Sequence, residues 1–163
     1  MKIYFAGPLF TQADRLWNRR VADELRSLDP SVQIILPQDA ASGAFEHGVL
    51  NFHRLFQICI QGIVESDVIV ANLDGSDSDS GTSFECGYAF AIGKPVLGVR
   101  TDLRASEDRG LNAMLSQSCE DLIHFPSTNE NIAALGALIF QKLEAIVRYA
   151  RSQRQLATER FRD

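Results

Sequence analysis

Positions 74–88 read Asp-Gly-Ser-Asp-Ser-Asp-Ser-Gly-Thr-Ser-Phe-Glu-Cys-Gly-Tyr. Three aspartates, Asp74, Asp77 and Asp79, lead into Glu85, and Gly81 and Gly87 leave bare backbone on either side of it. Carboxylates held close together raise one another's proton affinity, so such a cluster can set an acid apart from a base or nucleophile. Two plainer uses of the segment exist. Counted from Asp74, Glu85 is the twelfth position of a calcium loop, but the sixth, where a glycine is needed, is Asp79, and Ser76 and Ser78 are weak ligands; the sequence therefore predicts no metal site. Acidic residues at a helix start also cap free N–H groups and match the helix dipole. Capping accounts for Asp79, Ser80 and Thr82 but not for an acid one turn further in, at Glu85.

The elements that position this segment follow from the apolar pattern. Asp67–Leu73 is continuous and β-branched, as a parallel strand covered on both faces should be, and a helix is expected from about Thr82 to Ile92. Lys2–Ala6 reads as a strand ended by Gly7-Pro8. A helix carrying Leu16, Trp17, Val21, Leu25 and Leu28 on its apolar side follows, stopped at Asp29-Pro30. Val32–Leu36 is a second strand closed by Pro37, and residues 38–48 read as loop or broken helix. Leu50–Ser66 has helical period through Leu55, Phe56, Cys59, Ile60, Ile63 and Val64. Gly93-Lys94-Pro95 turns into a strand at Val96–Arg100, residues 101–110 read as a flexible loop, Leu122–Phe125 as a last strand, and residues 129–160 as a helix.

Strands alternating with helices at this spacing give a three-layer α/β sandwich with a mainly parallel, doubly wound sheet of flavodoxin or Rossmann type. The reading is one domain over residues 1–163, with 148–163, holding five Arg, one Glu and one Asp, a charged helical tail. Ligands of such sheets sit beyond the carboxyl ends of the strands, where the strand order reverses. That rule selects Gly7-Pro8, Pro37-Gln38-Asp39, Asp74 to Glu85 and the loop after Arg100.

The chain has 163 residues, 45% hydrophobic, with a formal charge of −5. A negative surface argues against a nucleic-acid polymer or an anionic membrane as partner, and no apolar run approaches the ~20 residues that span a bilayer. The expected location is the cytoplasm. Cys59, Cys86 and Cys119 are odd in number and widely spaced, which predicts neither a disulfide framework nor a zinc site. His47, His53 and His124 have no ligand spacing.

Ile3-Tyr4-Phe5-Ala6-Gly7-Pro8-Leu9-Phe10, Ser66 to Gly75, and Asp79 to Ala89 with Gly93-Lys94-Pro95-Val96 together resemble the nucleoside 2-deoxyribosyltransferases, a likeness covering residues 1 to about 147. The resemblance implies that Glu85 attacks the anomeric carbon of a 2-deoxynucleoside, displaces the base and holds the sugar as an ester until a second base takes it. This is the two-step retaining logic of glycoside hydrolysis with a nucleobase as acceptor. It implies no metal and no organic cofactor, with 2-deoxynucleosides and free nucleobases as partners. Position by position, Tyr4 matches a tyrosine that orients the nucleophile, Asp79 an aspartate that contacts the sugar and moves protons, and Gly7 a glycine under the substrate. Gly81 gives close backbone approach. Asn112-Ala113-Met114 resembles an Asn-x-Met segment lent by a neighbouring subunit, so the resemblance implies a homo-oligomer in which Asn112 and Met114 reach the next site.

Three departures accompany the likeness. Cys59 stands where many members carry Asp and some Asn, and a thiol is a weak donor, so protonation of the leaving base passes to Asp79, Asp39 or Asp74. The loop after the second strand offers Gln38 and Asp39 to a base edge but is shifted from the family pattern; Asp39 serves equally as a turn cap. The terminal carboxylate that some members use is not carried onto Asp163. Two other functions remain open: an N-glycosidase acting on nucleoside 5′-monophosphates, with Ser116 and Ser118 as phosphate contacts, and a non-catalytic nucleotide sensor, which would have no use for Tyr4, Asp79 and Glu85 together.

Overall fold

Strand parity sets the frame. Successive side chains of a strand point to opposite faces, and in Lys2–Ala6 both faces are covered: Ile3 and Phe5 enter one hydrophobic cluster, Tyr4 and Ala6 the other. The computed structural model describes residues 1–105, 108, 110–126, 128 and 131–159. From the start it runs β1 (Lys2–Ala6), α1 (Gln12–Leu28), β2 (Gln33–Ile35), α2 (Pro37–Ala40), a 3₁₀ turn (Ala41–Ala44), β3 (Phe45–Glu46), β4 (Val49–Leu50) and α3 (Phe52–Glu65). It continues through β5 (Val68–Asn72), α4 (Ser80–Ala91), β6 (Val96–Arg100), α5 (Ala113–Ser118), β7 (Asp121–His124) and α6 (Ile132–Glu159).

Five strands form a parallel sheet in the order β2-β1-β5-β6-β7, with registers such as Tyr4 opposite Ile69 and Val70 opposite Leu97. Counting only these five, the order is 2-1-3-4-5, the doubly wound arrangement whose direction reverses between β1 and β5. Residues of α1 and α6 cover one face, where Val21, Leu25, Ile139 and Leu143 pack on Ile3, Phe5, Val68 and Val70. The other face carries Ile63 of α3, Cys86 and Ala89 of α4 and Leu115 of α5. The expected three-layer sandwich is the observed one.

Several local expectations change. α1 begins at a capping box in which Thr11 and Asp14 satisfy each other's backbone N–H. Leu16, expected on its core side, is 64% exposed because it stands five residues before Val21, more than a third of a turn off the buried line; Asn18 takes the inward place. Leu28 is the last residue of the helix and is also exposed. On α3 only Gly62 and Ile63 are fully buried, while Phe56 and Val64 face outward. Residues 45–50 form a small hairpin, closed by His47 and Gly48 at φ 51° and 81°. Both residues of such a tight turn need positive φ, and His-Gly is not the usual turn pair. α6 starts at Ile132, a few residues later than expected, and runs without interruption past position 148 to Glu159, so the charged end is helical as expected as far as it is described; residues 160–163 lie outside the described residues. All three cysteines are free thiols. Among the described residues, no helix is long and apolar enough to cross a membrane.

Candidate active site

α4 starts where it does because Asp79 caps it. One oxygen, Oδ2, accepts both from the Thr82 backbone N–H at 2.8 Å and from the Thr82 hydroxyl at 2.9 Å, while Ser83 Oγ donates to the Asp79 carbonyl at 2.9 Å. The cap fixes the helical phase, and the sixth helical residue, Glu85, thereby faces β1. There the buried Tyr4 hydroxyl donates to Glu85 Oε1 at 2.6 Å, the short distance of a hydrogen bond to a carboxylate.

Burial is the largest influence on Glu85 and pushes its pKa up to about 7; the Tyr4 hydrogen bond pulls it down and the nearby Asp79 charge pushes it up. Tyr4 is shifted far upward by burial and by Glu85, so it remains a phenol and a donor. The Cys59 thiol adjoins this pair and is raised by burial, so it stays protonated. A half-buried carboxylate held in one orientation by a phenol, with a second acid close by, is equipped to act as a nucleophile on an electron-poor carbon.

Around this pair the predicted site residues divide. Gly7, at the carboxyl end of β1, is tightly enclosed: a Cβ there would lie 3.1 Å from Asn72 Cβ and 3.3 Å from Asn18 Oδ1, so these neighbours would have to give by a few tenths of an ångström. Gly81 is exposed on the first turn of α4, where an added Cβ would meet only Asp79 Oδ2, at 3.2 Å. Gln38 is buried and turned to α1, donating to the Arg15 carbonyl at 3.0 Å and accepting from Asn18 Nδ2 at 3.2 Å. Asp39 forms a two-pronged ion pair with Arg19 on the same helix. Both proposed base-reading side chains are thus engaged by α1.

Asp74 is likewise occupied. Its carboxylate accepts from Thr101 N and Thr101 Oγ1, each at 2.5 Å, and from Asp102 N at 2.8 Å. Residues 101 and 102, expected in a flexible loop, are therefore tied to the end of β5. Arg100, wholly buried, donates to the carbonyls of Leu73 at 2.7 Å and Gly75 at 3.1 Å, which completes the tie. Asp74 thus gives both oxygens to the loop and Asp79 gives Oδ2 to the cap, and no group of three or more His, Cys, Asp or Glu side chains that could hold a metal ion gathers among the described residues.

Asn112 caps α5, accepting from Leu115 N at 3.0 Å, and Met114 is 85% exposed. Both line a groove of about 440 Å³ with Ser83, Gly87 and Phe90 of α4. Those three residues lie about half a turn from Glu85, so Asn112 and Met114 stand across α4 from the Glu85 of their own chain. Ser116 and Ser118, the phosphate contacts of the alternative reading, donate to Asp108 at 2.5 Å and to the Leu115 carbonyl at 2.8 Å.

Sequence reasoning passed over Arg100, Asn18 and Gly62. A cation closing an otherwise apolar strand was the available signal for Arg100; Asn18 and Gly62 carried none, since their roles depend on the packing of helices against β1.

Both the fold and the sequence have relatives among known proteins. The structure is similar to a conserved protein from Enterococcus faecalis V583, with TM-score 0.72 and 27% identity over 87% of this chain and 98% of that one. It is similar in fold to a 2-deoxyribosyltransferase from Bacillus psychrosaccharolyticus, with TM-score 0.64 and 23% identity over 76% and 86% of the two chains. A CMP N-glycosidase from Clostridium botulinum also shares the fold, with TM-score 0.53 and 16% identity over 85% and 99%. No curated protein matches the sequence. The sequence profile of nucleoside 2-deoxyribosyltransferases matches residues 3–115, a span that includes Tyr4, Asp79, Glu85 and Asn112, and the chain belongs to that family of nucleoside-processing enzymes.

Proposed function

We propose that this protein transfers 2-deoxyribose between nucleobases through an ester on Glu85. The observation that carries the reading is the Tyr4–Glu85 hydrogen bond of 2.6 Å at the reversal point of the sheet. A Glu85 oxygen bonds to C1′ of the deoxynucleoside as the C1′–N bond breaks and its electron pair leaves with the base, which takes up a proton. The nitrogen of a second base then bonds to C1′ and gives up its proton as the ester C–O bond breaks, which balances the proton taken up by the first base and regenerates Glu85 as a carboxylate. Two inversions give net retention. With Asp39 held by Arg19 and Asp74 by residues 101–102, Asp79 is the acid left to serve the substrate: both Thr82 donors fall on Oδ2, leaving Oδ1 for the sugar and for proton movement. The reaction calls for no metal or organic cofactor.

Asn112 and Met114 complete the site of a neighbouring copy on this reading. Their position across α4 from Glu85 supports it, as does an outer helical layer rich in exposed apolar residues. There Phe84 lies 6.1 Å from Phe56 and 6.4 Å from Tyr88, and Phe90 and Met114 are exposed nearby. Large apolar patches of this kind mark interfaces.

The decisive experiment incubates the protein with deoxyinosine and adenine, and separately with deoxynucleoside monophosphates. Base exchange that is lost in Glu85→Ala, with a deoxyribosyl adduct on Glu85 seen by mass spectrometry, is the expected result. Release of deoxyribose phosphate instead would favour the N-glycosidase reading, which the occupied hydroxyls of Ser116 and Ser118 do not support. Unchanged substrates in both mixtures would leave only a binding function.

A further inference from the structure

We infer that Gly62 is a positioning residue, whose bare backbone sets the Tyr4 ring at the depth from which its hydroxyl meets Glu85. For its kinetic consequence, though not for its geometry, the inference rests on the transferase reading.

Gly62 lies inside α3, where glycine weakens a helix relative to alanine, and it is one of only two fully buried residues of that helix. A Cβ added there would stand 2.9 Å from Tyr4 Cδ2, 3.0 Å from Tyr4 Cε2 and 3.4 Å from Ile35 Cγ2. Carbon atoms pack at about 3.5–4.0 Å, so an alanine would displace the ring. The backbone of Tyr4 cannot retreat, because β1 is paired on both sides, Tyr4 with Ile35 and with Ile69. The ring is fully buried, so displacement becomes a tilt, and a tilt moves the atom farthest from the strand, the hydroxyl, off its 2.6 Å contact. Cys59, one turn before Gly62 on the same side of α3, adjoins that hydroxyl. α3 therefore sets the ring through Gly62 and meets its tip at Cys59. Gly62 itself touches no reacting atom.

The test compares Gly62→Ala with Tyr4→Phe by NMR titration of the Glu85 carboxyl, assigned by its disappearance in Glu85→Gln. A hydrogen bond to the ionised carboxyl lowers its midpoint, so losing that bond raises it. Gly62→Ala is expected to raise the midpoint by about half a pH unit or more, in the same direction as Tyr4→Phe. Added to Tyr4→Phe, where the hydroxyl is already gone, it should produce no further rise. In base exchange, Gly62→Ala should lower kcat about tenfold with little change in KM.

An unmoved midpoint in folded Gly62→Ala, or an equal rise with and without the hydroxyl, overturns the inference. Should Gly62→Ala fail to fold, Tyr4→Leu, which removes the ring, must restore folding; no rescue would place the clash elsewhere and overturn it equally. The titration uses no substrate. Absence of base exchange in the wild-type chain would therefore sink the transferase reading while leaving the positioning result standing.

Discussion

Tyr4 donates its hydroxyl to Glu85 Oε1 across 2.6 Å, although the two residues are 81 positions apart, and this hydrogen bond draws the pKa of the carboxyl down against burial and the Asp79 charge, which push it up. A nucleophile must be ionised, so kcat/KM for base exchange should rise with pH through an acid limb near 7. In Tyr4→Phe the limb should move higher, because the lost hydrogen bond favoured the ionised form. The rate on the plateau should fall about 10- to 100-fold, the worth of one charge-assisted hydrogen bond. A pH–rate profile of both proteins checks this, and a limb near the ordinary glutamate value would contradict the buried setting of Glu85.

The same carboxyl makes a stability prediction of definite sign. Its folded pKa of about 7 lies above the ordinary 4.5, so between these values the folded state holds a proton that the unfolded chain has released. Stability is therefore present at low pH and is lost as pH rises through that window. Glu85→Gln, which cannot ionise, should exceed the wild-type chain in stability at pH 8 by on the order of 1–3 kcal/mol, and the gap should close near pH 5. Urea unfolding at the two pH values measures it.

Asp74 and Asp39 give opposite expectations for one type of substitution. Asp74→Ala leaves two backbone N–H groups and the Thr101 hydroxyl without their acceptor in a half-buried loop, which should cost about 2–4 kcal/mol. Asp39→Ala breaks an exposed pair with Arg19 and should cost less than about 1 kcal/mol. Chemical denaturation of both variants decides whether the acids are as differently employed as the geometry has them.

Subunit sharing can be tested by mixing. Glu85→Gln and Asn112→Ala are each expected to be inactive alone. If Asn112 serves a partner's site, hybrids of the two regain one intact site per mixed pair, so a scrambled mixture should recover about a quarter of wild-type activity. No recovery after confirmed exchange of subunits would place Asn112 in the site of its own chain or in none.

The alternation of β1, β5 and α4 was legible because each has an unbroken pattern, and the acidic segment then pointed to Glu85 through the phase of a single helix. Spacing does not reveal which of several carboxylates is free. Asp74 looked like Asp79 in sequence, and what separates them is Thr101 and Asp102, 27 and 28 residues downstream. Gln38 and Asp39 were likewise read as facing a ligand because their loop follows a strand, whereas Asn18, Arg15 and Arg19 on α1 claim them. The hairpin at residues 45–50 is hidden by an unusual turn pair, and Leu16 shares the apolar character of the core line of α1 while its neighbour Trp17, four residues before Val21, keeps to that line. Gly62 left no trace at all, since empty space is visible only once its neighbours are placed.

Tyr4 stands between Ile3 and Phe5, which point to the opposite face of the sheet. Were β1 to slip by one residue against β5, an aliphatic or phenyl side chain would arrive opposite Glu85 and the phenol would be driven into the α1–α6 layer. Site and core are thus read from one register: a drift that parted Tyr4 from Glu85 would at the same stroke exchange the side chains that β1 sends into the two layers of the interior.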